Sequence, residues 1–156
     1  MPMDMPPAAP PSAEAIHACV VEAAERYTVP ELLIYSILDQ ESRRATYPGG
    51  RVGDIKQEPN GSIAYGPMQV TSIWLPELAQ YGISADDLRW DLCVNVGVGT
   101  WILRKYYEAH DQDWAKAIMS YNAGFKLKNG QNYARDVITR WRGYHEQVAS
   151  VKTSGR

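Results

Sequence analysis

An acid occupies the last position of an apolar helical stripe near the start of the chain. In LLIYSILDQESRR, residues 32–44, the hydrophobic residues Ile34, Ile37 and Leu38 are followed by Glu41 at the spacing i, i+3, i+4, i+7 of one helical face. If Glu41 is buried near the end of that helix, desolvation and the negative end of the helix dipole both raise its pKa. A carboxylic acid that stays protonated near neutral pH can act as a general acid. The same spacing also fits a frayed helix end that turns Glu41 to solvent.

Two further segments carry polar groups that are suited to ligand binding. In SIAYGPMQV, Gly66 allows close approach of the backbone to a ligand, and Met68 and Gln69 follow with an amide that offers two donors and an acceptor. In SYNAG, Tyr121 supplies a hydroxyl and Asn122 an amide at a predicted helix end. Taken singly, each segment also fits ordinary packing, so it is their combination that predicts a site.

The surrounding patterns predict a mainly helical α+β domain. Apolar spacing and capping residues predict helices at about 13–27, 28–42, 71–80, 92–109, 113–122 and 132–149, with a short turn at 84–89. The turn chemistry of EPNGS predicts one small β-hairpin at about 52–65, and no other strand is expected.

Local signals mark the ends of these helices. N-caps are expected at three polar residues, Ser12, Thr28 and Asp91, and a C-terminal stop is expected at Gly124. Inside the helix at 92–109, Gly97 and Gly99 each cost about 1 kcal/mol relative to Ala. That cost predicts close packing against another backbone.

Composition indicates one ordinary globular domain of 156 residues, with 45% hydrophobic and 22% charged content. The 16 basic and 18 acidic residues form no like-charge block, which argues against a nucleic-acid partner. No apolar run approaches the roughly 20 residues of a bilayer span, so no transmembrane segment is expected. We expect a flexible Pro-rich arm at 1–12, which lacks the features of an export signal, one domain at 13–150 and a flexible tail at 151–156.

Taken in order, the motifs resemble the catalytic domain of the soluble lytic transglycosylases, which have a lysozyme-like fold. The resemblance covers about residues 16–143 and is carried by ES at 41–42, GPMQ at 66–69, WDLCVNVGVGTWIL at 90–103 and SYNAG at 120–124. It implies that Glu41 is the single catalytic acid/base and that peptidoglycan strands are the substrate. The predicted substrate-binding set is Ser42, Gly66, Met68, Gln69, Tyr121, Asn122 and Tyr133.

The likeness is closest to the small specialised members that accompany type III and type IV secretion, conjugation and type IV pilus systems. Sequence alone leaves the pairing of Cys19 and Cys93 open, since two buried free thiols fit equally well. In those specialised members, cysteines at the corresponding two places form a disulfide. The resemblance therefore implies a bridge, an oxidising compartment and a periplasmic location, with the export signal replaced or removed.

Two departures from the family pattern stand beside the motifs. Pro67 replaces the usual Leu and removes a backbone donor. Arg43 and Arg44 replace small residues after ES, and they fit either contacts to peptide carboxylates on the substrate or a solvated basic pair.

A second carboxylate is missing from its expected place. Glycoside hydrolysis usually takes two carboxylates, and NGSIAYGPMQV resembles a lysozyme hairpin that has Asp where Ala64 stands here. A single acid implies that the C6 hydroxyl of the sugar attacks C1, which leaves a 1,6-anhydromuramoyl end.

Alternatives to this reaction remain at this stage. Of the possible second carboxylates, Asp39 should point away from Glu41, whereas Asp54 and Glu58 lie on the hairpin and would suit a hydrolytic muramidase. A lysozyme-like module that binds glycan or a partner without catalysis is a further alternative. No metal or cofactor is expected, because the three histidines, His17, His110 and His145, lack metal-ligand spacing.

Overall fold

The computed structural model describes residues 9–154, so residues 1–8 of the predicted arm and 155–156 of the predicted tail lie outside the described part of the chain. Helices dominate it: α1 (Ala13–Tyr27), α2 (Glu31–Ser42), α3 (Leu75–Leu78), α4 (Ala85–Trp90), α5 (Leu92–Ala109), α6 (Trp114–Ala123) and α7 (Gln131–Ser154). Three short strands are β1 (Ile55–Gln57), β2 (Ile63–Tyr65) and β3 (Val70–Thr71), and single 3₁₀ turns cover Ser72–Trp74, Ala79–Tyr81 and Leu127–Gly130. The predicted α+β class is confirmed.

Most helix ends follow the capping residues of the sequence. Ser12 Oγ accepts a hydrogen bond from a backbone N–H of α1 at 3.1 Å, and Asp91 does the same for α5 at 3.1 Å. Gly124 ends α6 at a positive φ of 59°. The prediction for Thr28 was wrong: this residue closes α1 in the left-handed region at φ 53°, and α2 begins after Pro30 without a side-chain cap.

The sheet is larger than the predicted hairpin. β1 and β2 form that hairpin, and β3 adds a third antiparallel strand in the order β1-β2-β3. Sequence analysis missed β3, because a strand of two residues is too short to show alternation, and assigned residue 71 to a helix. The helix predicted at 71–80 is in fact two 3₁₀ turns around the four-residue α3, with Pro76 in its first turn.

The C-terminal helix is longer than expected. α7 was predicted to end near residue 149, yet it continues to Ser154 and so covers residues 151–154 of the predicted tail. No helix among residues 9–154 is both long and apolar enough to cross a membrane.

The core surrounds α5, which packs against α1 on one side and α6 on the other. Its fully buried large side chains include Leu33, Ile34, Ile37, Leu38, Met68, Leu88, Leu103 and Ile118. A disulfide joins Cys19 on α1 to Cys93 in the first turn of α5, as the family resemblance implied. Gly99 does pack closely, since a Cβ there would lie 2.7 Å from the side chain of Met68. At Gly97 a Cβ would meet nothing within 4 Å. The predicted contact of these glycines with another backbone was therefore wrong.

Candidate active site

Glu41 lies at the last turn of α2, in a cleft between that helix, the small sheet and α6. The residues before it on the same face, Ile34, Ile37 and Leu38, are buried, so the acid does end the core stripe of α2. The frayed alternative is not observed, because α2 stays helical through Ser42 and the Glu41 side chain is only partly exposed. The cleft has a volume of about 270 Å³, and its lining includes Glu41, Glu58, Ser62, Gln69, Thr71, Tyr121 and Asn122.

Tyr133 of α7 holds the Glu41 carboxyl group in place. Its hydroxyl donates a hydrogen bond to Glu41 Oε2 at 2.7 Å. Burial raises the pKa of Tyr133 well above its ordinary value of 10.0, so the hydroxyl stays protonated and remains a donor. Sequence analysis placed Tyr133 in the substrate-binding set, and the structure places it directly behind the acid.

Burial also sets the protonation of Glu41. Desolvation raises its pKa from 4.5 to about 7, while the Tyr133 hydrogen bond and the positive charge of Lys56 lower it and the negative charge of Glu58 raises it. A carboxyl group with a pKa near 7 is present in both forms at neutral pH. It can therefore donate a proton and take one back within one reaction cycle.

We expect Tyr133→Phe to raise the pKa of Glu41 by about one unit, because the ionised form loses a charge-assisted hydrogen bond. The measurement is a ¹³C NMR titration of the Glu41 carboxyl carbon. Tyr81→Phe is the matched control, since Tyr81 is 65% exposed and should leave that pKa at the wild-type value. An unchanged or lowered pKa in Tyr133→Phe would contradict the role given to this hydrogen bond.

The GPMQ segment forms the floor beside Glu41 through its backbone. Gln69 Nε2 donates to the carbonyl oxygens of Gly49 and Gly66, both at 2.9 Å, which leaves its side-chain oxygen toward the cleft. Tyr121 Oη donates to the Met68 carbonyl at 2.7 Å, and Met68 itself is fully buried. Gln69, Tyr121 and Asn122 thus line the cleft as predicted, whereas Met68 supports it from within the core.

Asn95 of α5 fixes the shape of this segment, and sequence analysis gave it no role. Its Oδ1 accepts from the Met68 N–H at 2.8 Å, and its Nδ2 donates to the Tyr65 and Leu88 carbonyls at 2.8 and 2.9 Å. A Cβ at Gly66, whose φ is 63°, would lie 2.7 Å from Asn95 Nδ2. Close packing against Asn95 therefore requires a glycine at position 66. The available signal was an uncharged polar residue at a core position of a long apolar helix.

Ser42, a member of the predicted substrate-binding set, is buried at the end of α2 and is not among the residues that line the cleft. It is 1% exposed, and its hydroxyl donates to the Leu38 carbonyl at 3.1 Å and accepts from the Ala45 N–H at 2.9 Å. These two bonds stabilise the turn after α2, in which residues 43–45 all have positive φ. Ser42 thus positions the helix end that carries Glu41.

The two arginines after Ser42 behave differently from each other. Arg44 donates to Asp39 Oδ1 at 2.7 Å and lies over the Tyr35 ring at 4.5 Å, so its guanidinium is paired although its side chain is 41% exposed. Arg43 is exposed and lies 5.0 Å over the ring of Tyr47. Of the pair, Arg43 is the one without a carboxylate partner within residues 9–154.

The possible second carboxylates are now separated by their surroundings. Asp39 is bound to Arg44 and to Tyr144, so it points away from Glu41 as expected. Asp54 Oδ2 accepts hydrogen bonds from the Gly49 N–H and from both the N–H and the Nε of Arg51. Burial raises the pKa of Asp54, but these bonds have the larger effect and keep that pKa below its ordinary value. Glu58 alone of the three lines the cleft with Glu41.

The helical domain with its small sheet, and a cleft that holds an acid with a raised pKa, are typical of a lysozyme-like glycan-cleaving protein. The profile of the transglycosylase SLT domain matches residues 18–139, so the chain belongs to the transglycosylase SLT domain family. Its substrate is accordingly peptidoglycan, and it acts in the periplasm or at the cell wall.

Individual relatives are similar to this chain over most of their length. "Invasion protein IagB" of Salmonella typhi is 31% identical over 137 residues, which is 86% of this chain and 81% of the relative. "X polypeptide" of Escherichia coli K12 is 34% identical over 83% of this chain and 77% of the relative. "Protein IpgF" of Shigella flexneri is 29% identical over 79% and 78%, respectively.

Proposed function

We propose that this protein is a peptidoglycan lytic transglycosylase in which Glu41 is the single acid/base. Its substrate bond is the β-1,4 bond between N-acetylmuramic acid and N-acetylglucosamine, and its product carries a 1,6-anhydromuramic acid end. The observation that supports this most directly is the carboxyl group of Glu41 in the cleft, with a pKa of about 7 and one oxygen bound by Tyr133.

The two carboxyl oxygens of Glu41 have different roles in the proposed reaction. Oε2 accepts the Tyr133 hydrogen bond, so Oε1 is the oxygen that carries the acidic proton. In the first step that proton passes to the glycosidic oxygen as the bond from this oxygen to C1 of the muramic acid breaks. In the second step the C6 oxygen bonds to C1, and its proton returns to the Glu41 carboxylate. The enzyme ends as it began, and no water is consumed.

The sheet lacks a carboxylate where a nucleophile would be expected. Ala64 pairs with Lys56 on β1 and with Thr71 on β3, and directly paired residues point to the same face of a sheet. Thr71 lines the cleft, so Ala64 points to the same face of the sheet, where it is fully buried. A methyl group at this position cannot attack C1.

A hydrolytic muramidase is the second candidate, and one observation favours it: Glu58 lines the same cleft as Glu41. Two carboxylates across a glycosidic bond can activate water or form a covalent intermediate. The products distinguish the two reactions, because an anhydro end is lighter than a reducing end by one water molecule.

Mass spectrometry of the soluble products released from purified sacculi tests the proposal. We expect anhydro ends as the main product of the wild-type protein and of Glu58→Gln alike, because the mechanism does not use the Glu58 carboxylate. If reducing ends are the main product of the wild-type protein, or if Glu58→Gln stops the formation of reducing ends, the protein is a hydrolase instead.

The biological setting is the remaining part of the proposal. Likeness to a relative entitled an invasion protein, together with the resemblance to specialised transglycosylases, supports local opening of the wall for a secretion, conjugation or pilus apparatus. The Cys19–Cys93 bridge supports a periplasmic location, because disulfides persist in oxidising compartments.

A further inference from the structure

One cation lies on the same face of the sheet as the residues that line the cleft. Side chains two residues apart on a strand point to the same face. Glu58 lines the cleft, and its N–H continues the β1–β2 pairing by donating to the Ser62 carbonyl at 2.9 Å. Lys56 precedes Glu58 by two residues and therefore faces the same way. The register confirms this placement, because Lys56 pairs with Ala64 and Ala64 pairs with Thr71 of the cleft.

The stem of Lys56 lies beside Gly49, in the loop that follows α2. A Cβ built on Gly49 would lie 3.8 Å from Lys56 Cδ, so the side chain runs along the loop that follows α2. The Gly49 carbonyl is bound by the amide of Gln69, which lines the cleft together with Glu41. Within residues 9–154 the ammonium of Lys56 forms no ion pair. Its charge is not neutralised there by a neighbouring carboxylate.

We propose that Lys56 is a positioning residue for the reaction proposed above: its ammonium stabilises the carboxylate that Glu41 becomes between donating its proton and taking one back. This inference rests on the proposed function for its catalytic meaning. The electrostatic effect itself is a property of the folded protein and can be measured without substrate.

Three side chains shift the pKa of the Glu41 carboxyl group, namely Tyr133, Lys56 and Glu58, and Tyr121 is a fourth titratable group whose own pKa is affected by Glu41. Tyr133 from α7 and Tyr121 from α6 are neutral, since burial raises the pKa of each well above 10.0. Glu58, after β1, disfavours ionisation of Glu41, and Lys56 on β1 favours it. Lys56 therefore supplies the positive charge that opposes burial and the negative charge of Glu58.

The chemistry of a single-acid site explains why a cation suits this place. Burial alone favours the protonated form, which helps the first proton transfer and hinders the ionised state that must follow it. A second acid at residue 64 would disfavour that ionised state further through like-charge repulsion. Lys56, which pairs with Ala64 from the neighbouring strand β1, instead favours the ionised state of Glu41. It keeps both forms of Glu41 accessible even though burial and the negative charge of Glu58 disfavour the ionised one.

The test is an NMR titration of the Glu41 carboxyl carbon in charge variants, in low salt at about 10 mM and high salt at about 1 M. In low salt we expect Lys56→Met to raise the pKa of Glu41 by about half a unit, and Lys56→Glu by about twice as much. Lys56→Arg should restore the wild-type value. In high salt the Debye length falls to about 3 Å, so the differences should largely disappear. The alkaline limb of the activity profile on sacculi should move in the same direction.

Lys152→Met is the matched control, because it removes the same charge about 28 Å along α7 from Tyr133. It should leave the titration unchanged. An unshifted pKa in Lys56→Met, a shift that persists in high salt, or an equal shift in Lys56→Arg would each overturn the inference. A protein that shows the shifts yet releases nothing from sacculi would instead contradict the proposed function, so the two failures are distinguishable.

Discussion

Replacing Glu41 with Gln is expected to abolish the release of soluble muropeptides from purified sacculi, with a loss of at least about 10³-fold. The amide cannot donate a proton to the leaving oxygen, nor can it take one from the C6 hydroxyl. Both steps depend on the same group, because the mechanism uses no second carboxylate. The measurement is chromatographic quantification of soluble products over time.

The fold should survive this substitution and gain stability at higher pH. The side-chain oxygen of Gln can still accept the Tyr133 hydrogen bond, so the local packing is kept. Glu41 has a folded-state pKa of about 7, above its ordinary value of 4.5, so the folded protein holds a proton that the unfolded chain has already lost in this window. Wild-type stability therefore falls as the pH rises from about 4.5 to 7, and Glu41→Gln lacks this loss.

Thermal melting at pH 5 and pH 8 checks the second part of this prediction. The variant should melt higher than the wild type at pH 8, with a smaller difference at pH 5. Glu25→Gln, an exposed substitution on α1, is the control and should retain activity and the wild-type melting profile. Activity of Glu41→Gln near the wild-type level would remove Glu41 from the mechanism.

Local patterns predicted much of the helical scaffold. The limits of α1 and α5 follow from their caps and apolar spacing, and Glu41 was found because its place on the stripe of α2 is a local property. The cysteine bridge was implied by family resemblance rather than by spacing, since two cysteines separated by 74 positions have no local signature.

Long-range contacts account for what the sequence did not show. Tyr133 lies 92 positions from Glu41, so no local pattern links its hydroxyl to the acid that it binds. Lys56 and Thr71 lie on the same face of the sheet because of the strand register, and a β3 of two residues is too short to be predicted from its sequence. The place of Ser42 also depends on tertiary structure, since its hydroxyl stabilises the left-handed turn after α2.

Asn95→Ala is expected to lower the free energy of unfolding by about 3 kcal/mol, the largest stability loss that we predict. The substitution leaves the Met68 N–H and the Tyr65 and Leu88 carbonyls without their partner, and each unpaired buried group costs about 1 kcal/mol. Asn95 is fully buried, and the Ala side chain brings no polar atom to replace it. Urea unfolding followed by circular dichroism measures the change, with an unchanged m-value expected.

The same variant should also lose activity, because Asn95 holds the backbone on which Gln69 and Tyr121 depend. Asn132→Ala, an exposed substitution on α7, is the matched control and should stay within about 0.5 kcal/mol of the wild type. Asn95→Asp is the informative intermediate: it keeps the acceptor for the Met68 N–H but replaces the two donated bonds with repulsion between a buried carboxylate and two carbonyls. Its stability should therefore fall as the pH rises. A loss below about 1 kcal/mol in Asn95→Ala would mean that water replaces the amide, and that the floor of the cleft is held by Gly66 and the strands alone.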